Sequence, residues 1–542
     1  MNIPVPERRS FRMLPFVSII LVALYPVIAL AAANADEVSL QHVSRALVGI
    51  VFLAILLLLL VRIMVGDWGK AALISSVALL LFLSYGHLYQ IFKGQEVMGF
   101  IVGRHRYLLL AWIVIQAVWV WAVLRVLTNV PRWIGIITIA TAAAVAYPLF
   151  SLVVREVEIR ADDVRLELPS SAFESAPDSV GRDIYYIVLD GYGRTDVLSR
   201  VYDLDNTDFI TFLKSRDFFV AEESRSNYIQ TALSLASSMN LDYVNDLSDL
   251  LGEDSTNRGP LNARIHDSFA MDYLNRSGYQ LMAFNTGLVA TSIEGVDIFL
   301  PSEDNPYFRS SLPETWLLNP FEGLLLETTA ISAIFDLVTQ FRDSYNEAIA
   351  DPMYEVHRAR ITYTLDAISE VPSMPGDVFV FAHVLAPHPP FVFGPNGESV
   401  NPDGPYGLFD GSDFISEGGT TEKYIAGYRD EVIFLNTLLE DTITEILVKS
   451  DPLPIIILQS DHGPGAYLDW ASPSLSDLEE RTSILNAYHL PDGGIDALYP
   501  SISPVNSFRL IFNHYFDADF PLLEDRAYFS SAVHPYRFVP LD

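Results

Sequence analysis

Five apolar stretches separated by short polar segments occupy the first third of the chain. They cover residues 14–33, 46–61, 71–92, 107–124 and 133–154. Each is close to the roughly 20 residues that a helix needs to cross the hydrocarbon core of a bilayer. The second stretch is short, but it can extend to residue 65 if Arg62 reaches toward the lipid headgroups. The pattern therefore predicts a domain of about five transmembrane helices over residues 1–155.

The first apolar stretch can be interpreted in two ways. Basic residues precede it, and Ala33-Asn34-Ala35 resembles a signal-peptidase site. Its length of 20 residues exceeds a usual signal core, which favours a retained helix. Either way, the chain after the last span is expected outside the cytoplasm. Loop charges agree with the positive-inside rule: Arg8, Arg9, Arg12, Arg62, Lys70, Arg125 and Arg132 fall on the predicted cytoplasmic side, against Arg45, Lys93, Arg104 and Arg106 on the other.

From residue 183 onward, short apolar runs alternate with amphipathic stretches. Strand-like runs cover 184–190, 280–285, 377–384 and 454–460, and helical patterns cover 207–216, 263–276, 355–370 and 422–449. This alternation predicts an α/β domain over residues 183–542, with a mostly parallel sheet flanked by helices.

Two segments do not follow the alternation. Residues 156–182 have mixed charges and breaker residues such as Pro169 and Pro177, so they are expected to form a linker. The stretch 301–350 contains a group of large apolar residues: Trp316, Leu317, Leu318, Phe321, Leu324, Leu325 and Leu326. It is interpreted either as an insertion near the site or the membrane, or as ordinary packing.

Charge and cysteine content narrow the function of the second domain. Residues 1–155 hold 12 of the 34 basic and 5 of the 67 acidic residues, so the remainder carries 22 basic and 62 acidic residues, a net charge of −40. Such a domain repels nucleic acid at long range, which argues against a nucleic-acid partner. The chain has no cysteine, which excludes disulfides, thiolate chemistry and cysteine-ligated zinc.

Two of the predicted strands end in acidic residues. The run at 184–189 leads into Asp190, and the run ending at residue 460 leads into Asp461 and His462. Ligand crevices of open α/β sheets lie at the carboxyl ends of the strands, so these side chains are expected to meet there. Carboxylate oxygens and an imidazole suit a divalent metal ion, and Zn²⁺, Mn²⁺, Mg²⁺ and Ca²⁺ are not distinguished.

These motifs, in this order, resemble the alkaline phosphatase superfamily, in particular its sulfatase-like membrane branch that includes lipoteichoic acid synthases and phosphoethanolamine transferases. The resemblance covers about residues 183–515, and Asp461-His462-Gly463 is its most specific part. It implies that Asp190, Thr231, Asp461 and His462 bind the metal and that Thr231 is the nucleophile.

Thr231 has other interpretations. It precedes an apolar helical run, so from the local sequence alone its ordinary role would be a helix N-cap. Ser226, Ser234 and Ser237 are rivals within the same segment. The formylglycine motif of sulfatases is missing from the chain, so the resemblance implies phosphoryl transfer through an unmodified threonine.

Further site residues follow from the same resemblance. It implies that His388, in the turn after the strand at 377–384, contacts the substrate and can protonate a leaving oxygen. His383 either supports this site or binds a second metal ion. The candidates for substrate contacts are Arg194, Lys423, Tyr428 and Arg481.

The resemblance implies a membrane-anchored, metal-dependent transferase with an envelope lipid or glycan as its substrate. The group transferred would be of the phosphoglycerol or phosphoethanolamine type. We expect a multi-pass protein of a bacterial-type plasma membrane, with its catalytic domain extracytoplasmic. The alternatives are a hydrolase of phosphate or sulfate esters and a catalytically silent envelope assembly protein.

The topology can be tested with a reporter fused after Pro177. Whether the first apolar stretch is cleaved or retained, this position is expected outside the cytoplasm. A reporter enzyme that works only outside the cytoplasm should therefore be active in this fusion. Fusions after residue 66 or 128, in predicted cytoplasmic loops, provide the control. A signal from a cytoplasmic reporter after Pro177 would overturn the predicted location.

Overall fold

The computed structural model describes residues 10–34, 40–92, 96–97, 100–101, 104–161, 179–300, 320–331, 333, 339–402 and 406–541. The chain divides into two compact units, one formed by residues 1–161 with 315–348 and the other by 162–314 with 349–542. Several residues with predicted roles lie outside the described ranges: Arg8, Arg9, Ala35, Lys93, 162–178 and 316–318.

The first unit contains five long apolar helices: α1 (Ser10–Ala33), α2 (Leu40–Val65), α3 (Trp68–Phe92), α4 (His105–Arg125) and α5 (Val130–Ala161). Each is long and apolar enough to cross a membrane, which confirms the predicted number of spans. Large apolar side chains on their outer faces are exposed, as suits a lipid-facing surface. Helix α5 runs six residues into the segment predicted as a linker.

Polar anchors tie α4 to α3. The indole N–H groups of Trp112 and Trp119 donate to the carbonyls of Leu81 and Leu73 at 2.7 and 2.9 Å. A tryptophan side chain has a large apolar surface and only one polar group, the indole N–H, which usually finds a hydrogen-bond acceptor when it is buried. The two tryptophans therefore set the register between these helices.

Part of the stretch that fitted the strand and helix alternation poorly belongs to this first unit. Helix α12 (Pro320–Glu327) buries Phe321 and Leu325 in one apolar cluster with residues of α1, α2 and α3. Glu322 forms an ion pair with Arg45 of α2. The chain thus returns to the apolar helices after it has already built half of the second unit.

The second unit is built on a seven-stranded sheet. Its strands are β1 (Ile184–Leu189), β2 (Phe219–Val220), β3 (Gln280–Phe284), β4 (Ile298–Leu300), β5 (Val378–Val384), β6 (Ile455–Ser460) and β7 (Asn486–His489). Their order across the sheet is β2-β7-β6-β1-β5-β3-β4. β7 alone runs opposite to the other strands, so its pairings with β2 and β6 are antiparallel. The predicted α/β class and all four predicted strands are confirmed.

The helices of this unit are α6 (Thr195–Tyr202), α7 (Thr207–Ser215), α8 (Thr231–Met239), α9 (Asp246–Leu251), α10 (Gly259–His266), α11 (Phe269–Arg276), α13 (Thr339–Ile368), α14 (Gly411–Ser416), α15 (Thr421–Lys449), α16 (Leu478–Thr482) and α17 (Pro504–Tyr515). Of α13, residues 349–368 belong to this unit and 339–348 to the first. A hairpin of Ala527–Phe529 with Val539–Leu541 ends the chain. The single helix predicted over 263–276 is wrong, because Ser268 adopts an extended N-cap conformation and starts a new helix, α11.

The central strand β1 shows why a continuous apolar run marks this position. Its six residues are all buried, and they divide alternately between the cores on the two faces of the sheet. Ile184, Tyr186 and Val188 enter one core, whereas Tyr185, Ile187 and Leu189 enter the other. Such double burial is what a parallel sheet covered by helices requires.

A buried carboxyl group supports the loop that follows β5. Glu431 of α15 is 1% exposed, and it accepts hydrogen bonds from the backbone N–H groups of Val392 and Phe393 at 2.7 and 3.4 Å. Among the described residues, its second oxygen has no hydrogen-bond partner. Burial raises the pKa of Glu431 to about 8, against a usual 4.5.

The ionisation of Glu431 should make the stability of the folded protein depend on pH. Since its pKa is raised on folding, the folded protein binds the extra proton between about pH 4.5 and 8, and stability falls as the pH rises through this window. In Glu431→Gln, the amide oxygen still accepts from Val392 but cannot ionise. The variant should therefore gain thermal stability over the wild type progressively from pH 5 to 8, by about 1.4 kcal/mol per unit of pKa difference at most.

The matched control for this experiment is Asp441→Asn on the exposed face of the same helix. Thermal denaturation of the full-length protein in detergent, followed at several pH values, provides the measurement. An advantage of Glu431→Gln that stays constant from pH 5 to 8 would contradict the expected ionisation of this group.

Candidate metal and nucleophile site

The pairing of the parallel strands brings the two acidic strand ends together. β1 pairs with β6 so that Leu189 lies opposite Ser460, and Asp190 and Asp461 follow at the next position of each strand. The backbone N–H of Gly191 donates to Asp461 Oδ1 at 3.2 Å, and Gly191 has a positive φ of 77° that favours glycine. The two carboxylates are therefore fixed side by side at the carboxyl edge of the sheet.

His462 completes a compact group with these carboxylates. Its Nε2 atom lies 3.5 Å from Asp190 Oδ1 and 3.4 Å from Asp461 Oδ2, and all three residues are buried. Its Nδ1 lies 3.0 Å from the Gly463 carbonyl, which can only accept, so Nδ1 carries the proton and the lone pair of Nε2 faces the carboxylates. Burial and the nearby Arg481 lower the pKa of His462, which keeps the ring neutral.

Gly463 permits this arrangement. The N–H of Gly463 donates to the carbonyl of Arg481 at 2.7 Å, so the two backbone segments lie very close together. A Cβ atom at position 463 would collide with the carbonyl oxygen of Glu480. The glycine after the Asp-His pair is therefore required by the close approach of a second backbone segment.

Three buried polar atoms at this edge lack a hydrogen-bond partner within the described part of the chain: Asp190 Oδ1, Asp461 Oδ2 and His383 Nε2. Buried polar groups in folded proteins nearly always have a hydrogen-bond partner. Unpartnered ligand-type atoms at one edge of the sheet therefore indicate a cation-binding site. The ligand atoms of Asp190, Asp461 and His462 lie within 4.8 Å of one another. Two carboxylates and one neutral imidazole fit a divalent metal ion.

Electrostatics keep the Asp190 carboxylate ionised. Burial opposes the charge on Asp190, but His388, His383 and His462 together outweigh it and hold its pKa below the usual value. A ligand that remains charged at low pH is what metal binding requires.

Thr231 reaches this group from the start of α8. It is the first residue of that helix, and its hydroxyl donates to Nε2 of His462 at 3.1 Å. The N-cap position is occupied by Gln230, whose side chain donates to Ser530 instead of capping the helix. Thr231 is therefore not the N-cap, and the N–H groups of the first turn are left without a side-chain cap from Gln230.

Two of the rival serines are engaged elsewhere. Ser234 donates to the carbonyl of Tyr228 at 2.9 Å, and Ser237 donates to the carbonyl of Asp242 at 2.7 Å. Ser226 is buried five residues before the helix, and its hydroxyl has no partner among the described residues. Of the four hydroxyls, that of Thr231 is the one in contact with the metal-ligand group.

The two histidines of the segment after β5 face different surroundings. Nε2 of the buried His383 lies 3.4 Å from Asp190 Oδ2, and its Nδ1 lies 3.0 Å from the hydroxyl of Thr291. His388 lies farther along, with its ring centre 6.4 Å from that of His462. His383 thus supports Asp190 directly, whereas His388 lies beside the group.

The substrate-contact candidates separate clearly. Arg481 is 1% exposed and donates from Nη2 to His462 Nε2 at 3.2 Å. Arg194 is held by Asp196 and by the carbonyl of Ser224. The structure therefore brings Arg481, and not Arg194, to the metal-ligand group.

The other two candidates differ in burial. Lys423 is exposed in the first turn of α15. Tyr428 is buried, and its hydroxyl accepts from the N–H of Gly193 and donates to the carbonyl of Gly191, both at 2.9 Å. Tyr428 therefore fixes the turn that follows Asp190.

Sequence reasoning missed two buried acidic residues of the site. Asp410 accepts from Arg481 Nη1 at 2.6 Å, and Glu480 accepts from the N–H groups of Ala466 and Tyr467, both at 3.0 Å. Asp410 carried the signal of an ordinary helix N-cap, a role that it also has for α14. Glu480 lies within a run of charged residues that is typical of a solvated surface.

No family model and no curated protein matches this chain. Among solved structures, the chain is similar to the integral membrane protein lipooligosaccharide phosphoethanolamine transferase A from Neisseria meningitidis. The identity is 12% and the TM-score 0.34, over 92% of this chain and 94% of that one.

Two further structures are similar to part of the chain. The C-terminal periplasmic domain of a phosphoethanolamine transferase from Campylobacter jejuni has 14% identity and a TM-score of 0.35, over 64% of this chain and 92% of that one. A phosphonate monoester hydrolase of Agrobacterium radiobacter has 15% identity and a TM-score of 0.37, over 64% and 80%.

Metal content should depend on the Asp461-His462 pair. We expect the full-length protein to bind one divalent ion per chain, and the double variant Asp461→Ala, His462→Ala to lose it, because the remaining ligands leave its charge uncompensated. Elemental analysis of protein purified in detergent gives the measurement. The double variant Asp496→Ala, His514→Ala, at exposed positions of the same unit, should retain the ion.

His388→Ala is expected to retain the metal as well, since this histidine lies beside the ligand group. Stoichiometric metal in the Asp461, His462 double variant would show that the ion binds elsewhere. Two ions per chain, falling to one in His383→Ala or His388→Ala, would place these histidines in a second metal site.

Proposed function

We propose that this protein is a membrane-anchored, metal-dependent transferase that moves a phosphoryl-linked group onto an envelope lipid or glycan. The group is of the phosphoglycerol or phosphoethanolamine type. The observation that carries this proposal is the position of the Thr231 hydroxyl, at the N-terminus of α8 and 3.1 Å from His462 in a buried Asp-Asp-His group. A hydroxyl, a cation site and a helix N-terminus together suit attack on a phosphorus atom.

Asp190, Asp461 and His462 would hold the ion, with Thr231 as a fourth ligand. A divalent ion supplies positive charge that lowers the pKa of a nearby hydroxyl and offsets the charge of a phosphoryl group. Helix α8 adds its partial positive charge and the N–H groups of its first turn at the same place. The chain thus provides several sources of attraction for an anion within a domain that is acidic overall.

The reaction proceeds in two displacements at phosphorus. In the first, the Thr231 oxygen bonds to phosphorus as its proton passes to water, and the bond from phosphorus to the leaving oxygen of the donor breaks. His388 protonates that oxygen. In the second, a hydroxyl of the acceptor gives its proton to His388 and bonds to phosphorus. The bond from phosphorus to the Thr231 oxygen breaks, and that oxygen takes a proton back from water.

The apolar helices favour transfer over hydrolysis of soluble esters. Five helices suited to crossing a membrane tie the site to a bilayer, where a lipid donor is held at high local concentration. We place the protein in a bacterial-type plasma membrane with its catalytic unit extracytoplasmic. Two carboxylate oxygens of the ligand group, Asp190 Oδ1 and Asp461 Oδ2, have no hydrogen-bond partner among the described residues, and this supports a working metal site over a fold retained for binding alone.

The reaction class can be tested by incubating the full-length protein with labelled lipid donors and with a panel of chromogenic phosphate and sulfate esters. Transfer of label to a lipid or glycan acceptor supports the proposal. Release of label to water alone, or turnover of sulfate esters, would replace it with a hydrolase. If the protein acts on none of the donors or esters, the result would favour the alternative of a catalytically silent envelope assembly protein.

The nucleophile is tested by two substitutions. Thr231→Ala should fold and bind metal, yet lose turnover by about 10³-fold or more, because the attacking oxygen is deleted. Thr231→Ser should retain part of the activity. The steady-state rate, the metal content and the mass of a trapped phosphorylated intermediate provide the measurements.

Ser234→Ala is the matched control for Thr231→Ala, because Ser234 lies one turn farther along α8 and donates to the carbonyl of Tyr228. It should remain active and phosphorylated. A phosphoryl adduct on Ser226 or Ser234 would show that the nucleophile within this segment was misassigned.

A further inference from the structure

Asp410 is a buried carboxylate in contact with α15, α16 and the loop that follows β5. It is 4% exposed and precedes α14, far in sequence from every residue of the Asp-Asp-His group. Its Oδ1 atom accepts from the hydroxyl of Tyr424 at 2.6 Å and from the N–H of Gly411 at 2.8 Å. Capping a six-residue helix does not require such burial, so the capping role alone does not account for Asp410.

Its Oδ2 atom points toward the reaction site. Arg481 Nη1 donates to this oxygen at 2.6 Å, and Nη2 of the same guanidinium donates to His462 at 3.2 Å. Arg481 also donates to the carbonyls of Ile229 and Gly463 at 2.9 and 3.0 Å. Because the guanidinium is planar and bound on several sides, Asp410 is held rigidly relative to the metal-ligand group.

The second neighbour of Oδ2 is His388. Its Nδ1 atom lies 2.6 Å from the carbonyl of Pro389, which can only accept, so Nδ1–H donates there and Nε2 is the nitrogen left for substrate. Nε2 lies 3.9 Å from Asp410 Oδ2. This distance is too long for a hydrogen bond but short enough for a strong charge interaction in a buried site.

Arg481 and His388 therefore both face the same oxygen, Asp410 Oδ2. Burial opposes the charge of Asp410, but Arg481 and His388 lower its pKa to about 2, so the group is an anion. The anion attracts the Nε2 edge of the ring and does not occupy its N–H with a hydrogen bond. A proton on Nε2 thus stays available to a leaving oxygen.

We propose that Asp410 is the positioning residue of His388: its charge holds the Nε2 edge of the ring inside the site, where Nε2–H remains free to reach the leaving oxygen. This inference rests on the proposed phosphoryl transfer. As the Thr231 oxygen bonds to phosphorus, the bond from phosphorus to the leaving oxygen breaks and its electron pair stays on that oxygen. The Nε2 proton of His388 moves to this oxygen, and the N–H electron pair remains on the imidazole.

The test compares two diesters that differ in their need for a proton. Diphenyl phosphate releases phenolate, a poorer leaving group than the nitrophenolate released by bis(4-nitrophenyl) phosphate. If Asp410 acts through His388, Asp410→Asn in the full-length metal-loaded protein should lose at least about tenfold more kcat on diphenyl phosphate than on the nitrophenyl ester. Metal content should be unchanged, and Asp413→Asn, exposed on the same short helix, should behave as wild type.

A double variant separates positioning from a general structural role. Because Asp410 acts through His388, the Asp410→Asn, His388→Ala double variant should be no slower than His388→Ala alone. Additive losses, or equal losses on the two esters, would overturn the inference and leave the proposed function intact. A wild-type protein that cleaves neither these esters nor any labelled lipid donor would overturn both.

Asp410→Asn leaves Arg481 as a buried charge with a neutral partner, which can prevent folding. In that event Tyr424→Phe serves instead, since it removes a hydrogen bond to Asp410 Oδ1 and leaves the ion pair with Arg481. It should show the same preference for the better leaving group, with a smaller loss. Equal rates of Tyr424→Phe and wild type on both esters would count against the inference.

Discussion

The site depends on the register of three parallel strands. β1 lies between β5 and β6, and the backbone pairing places Leu189 opposite Val384 on one side and Ser460 on the other. A slip of one residue would turn every side chain of β1 to the opposite face of the sheet and would separate Asp190 from Asp461. Because both faces of β1 are buried, such a slip would also break two cores. The packing that stabilises the sheet therefore also assembles the metal-ligand group.

The net charge of the second domain and the charges beside the metal-ligand group have different effects on an approaching anion. The chain beyond residue 155 has a net charge of −40, which repels anions at long range. Within the site, Arg481 and the first turn of α8 supply positive charge beside the metal-ligand group. Solvent and salt screen the distant surface carboxylates, whereas buried groups a few ångströms apart interact strongly. An acidic domain can thus attract an anionic group at one enclosed point.

Sequence reasoning succeeded where chemistry follows a local pattern. Asp190 and Asp461 each end an apolar run, and the rule for strand ends was enough to bring them together. It could not find Asp410, because its contact with Arg481 joins residues 71 positions apart and its local pattern is that of a helix cap. The break between α10 and α11 was also missed, since Ser268 is compatible with a helix until tertiary contacts act on it. Arg194 and Lys423 were indistinguishable from Arg481 by residue type, and only burial separates them.

Helix α12 gives the chain an unusual route. Residues 315–348 belong with the apolar helices, while the segments before and after them belong with the sheet. The polypeptide therefore crosses between the units three times, although a single tether after α5 would suffice for anchoring. A secreted fragment beginning at residue 179 would carry Phe321 and Leu325 without the apolar helices against which they pack. Proteolytic release from the membrane would accordingly expose an apolar helix face that the intact chain buries.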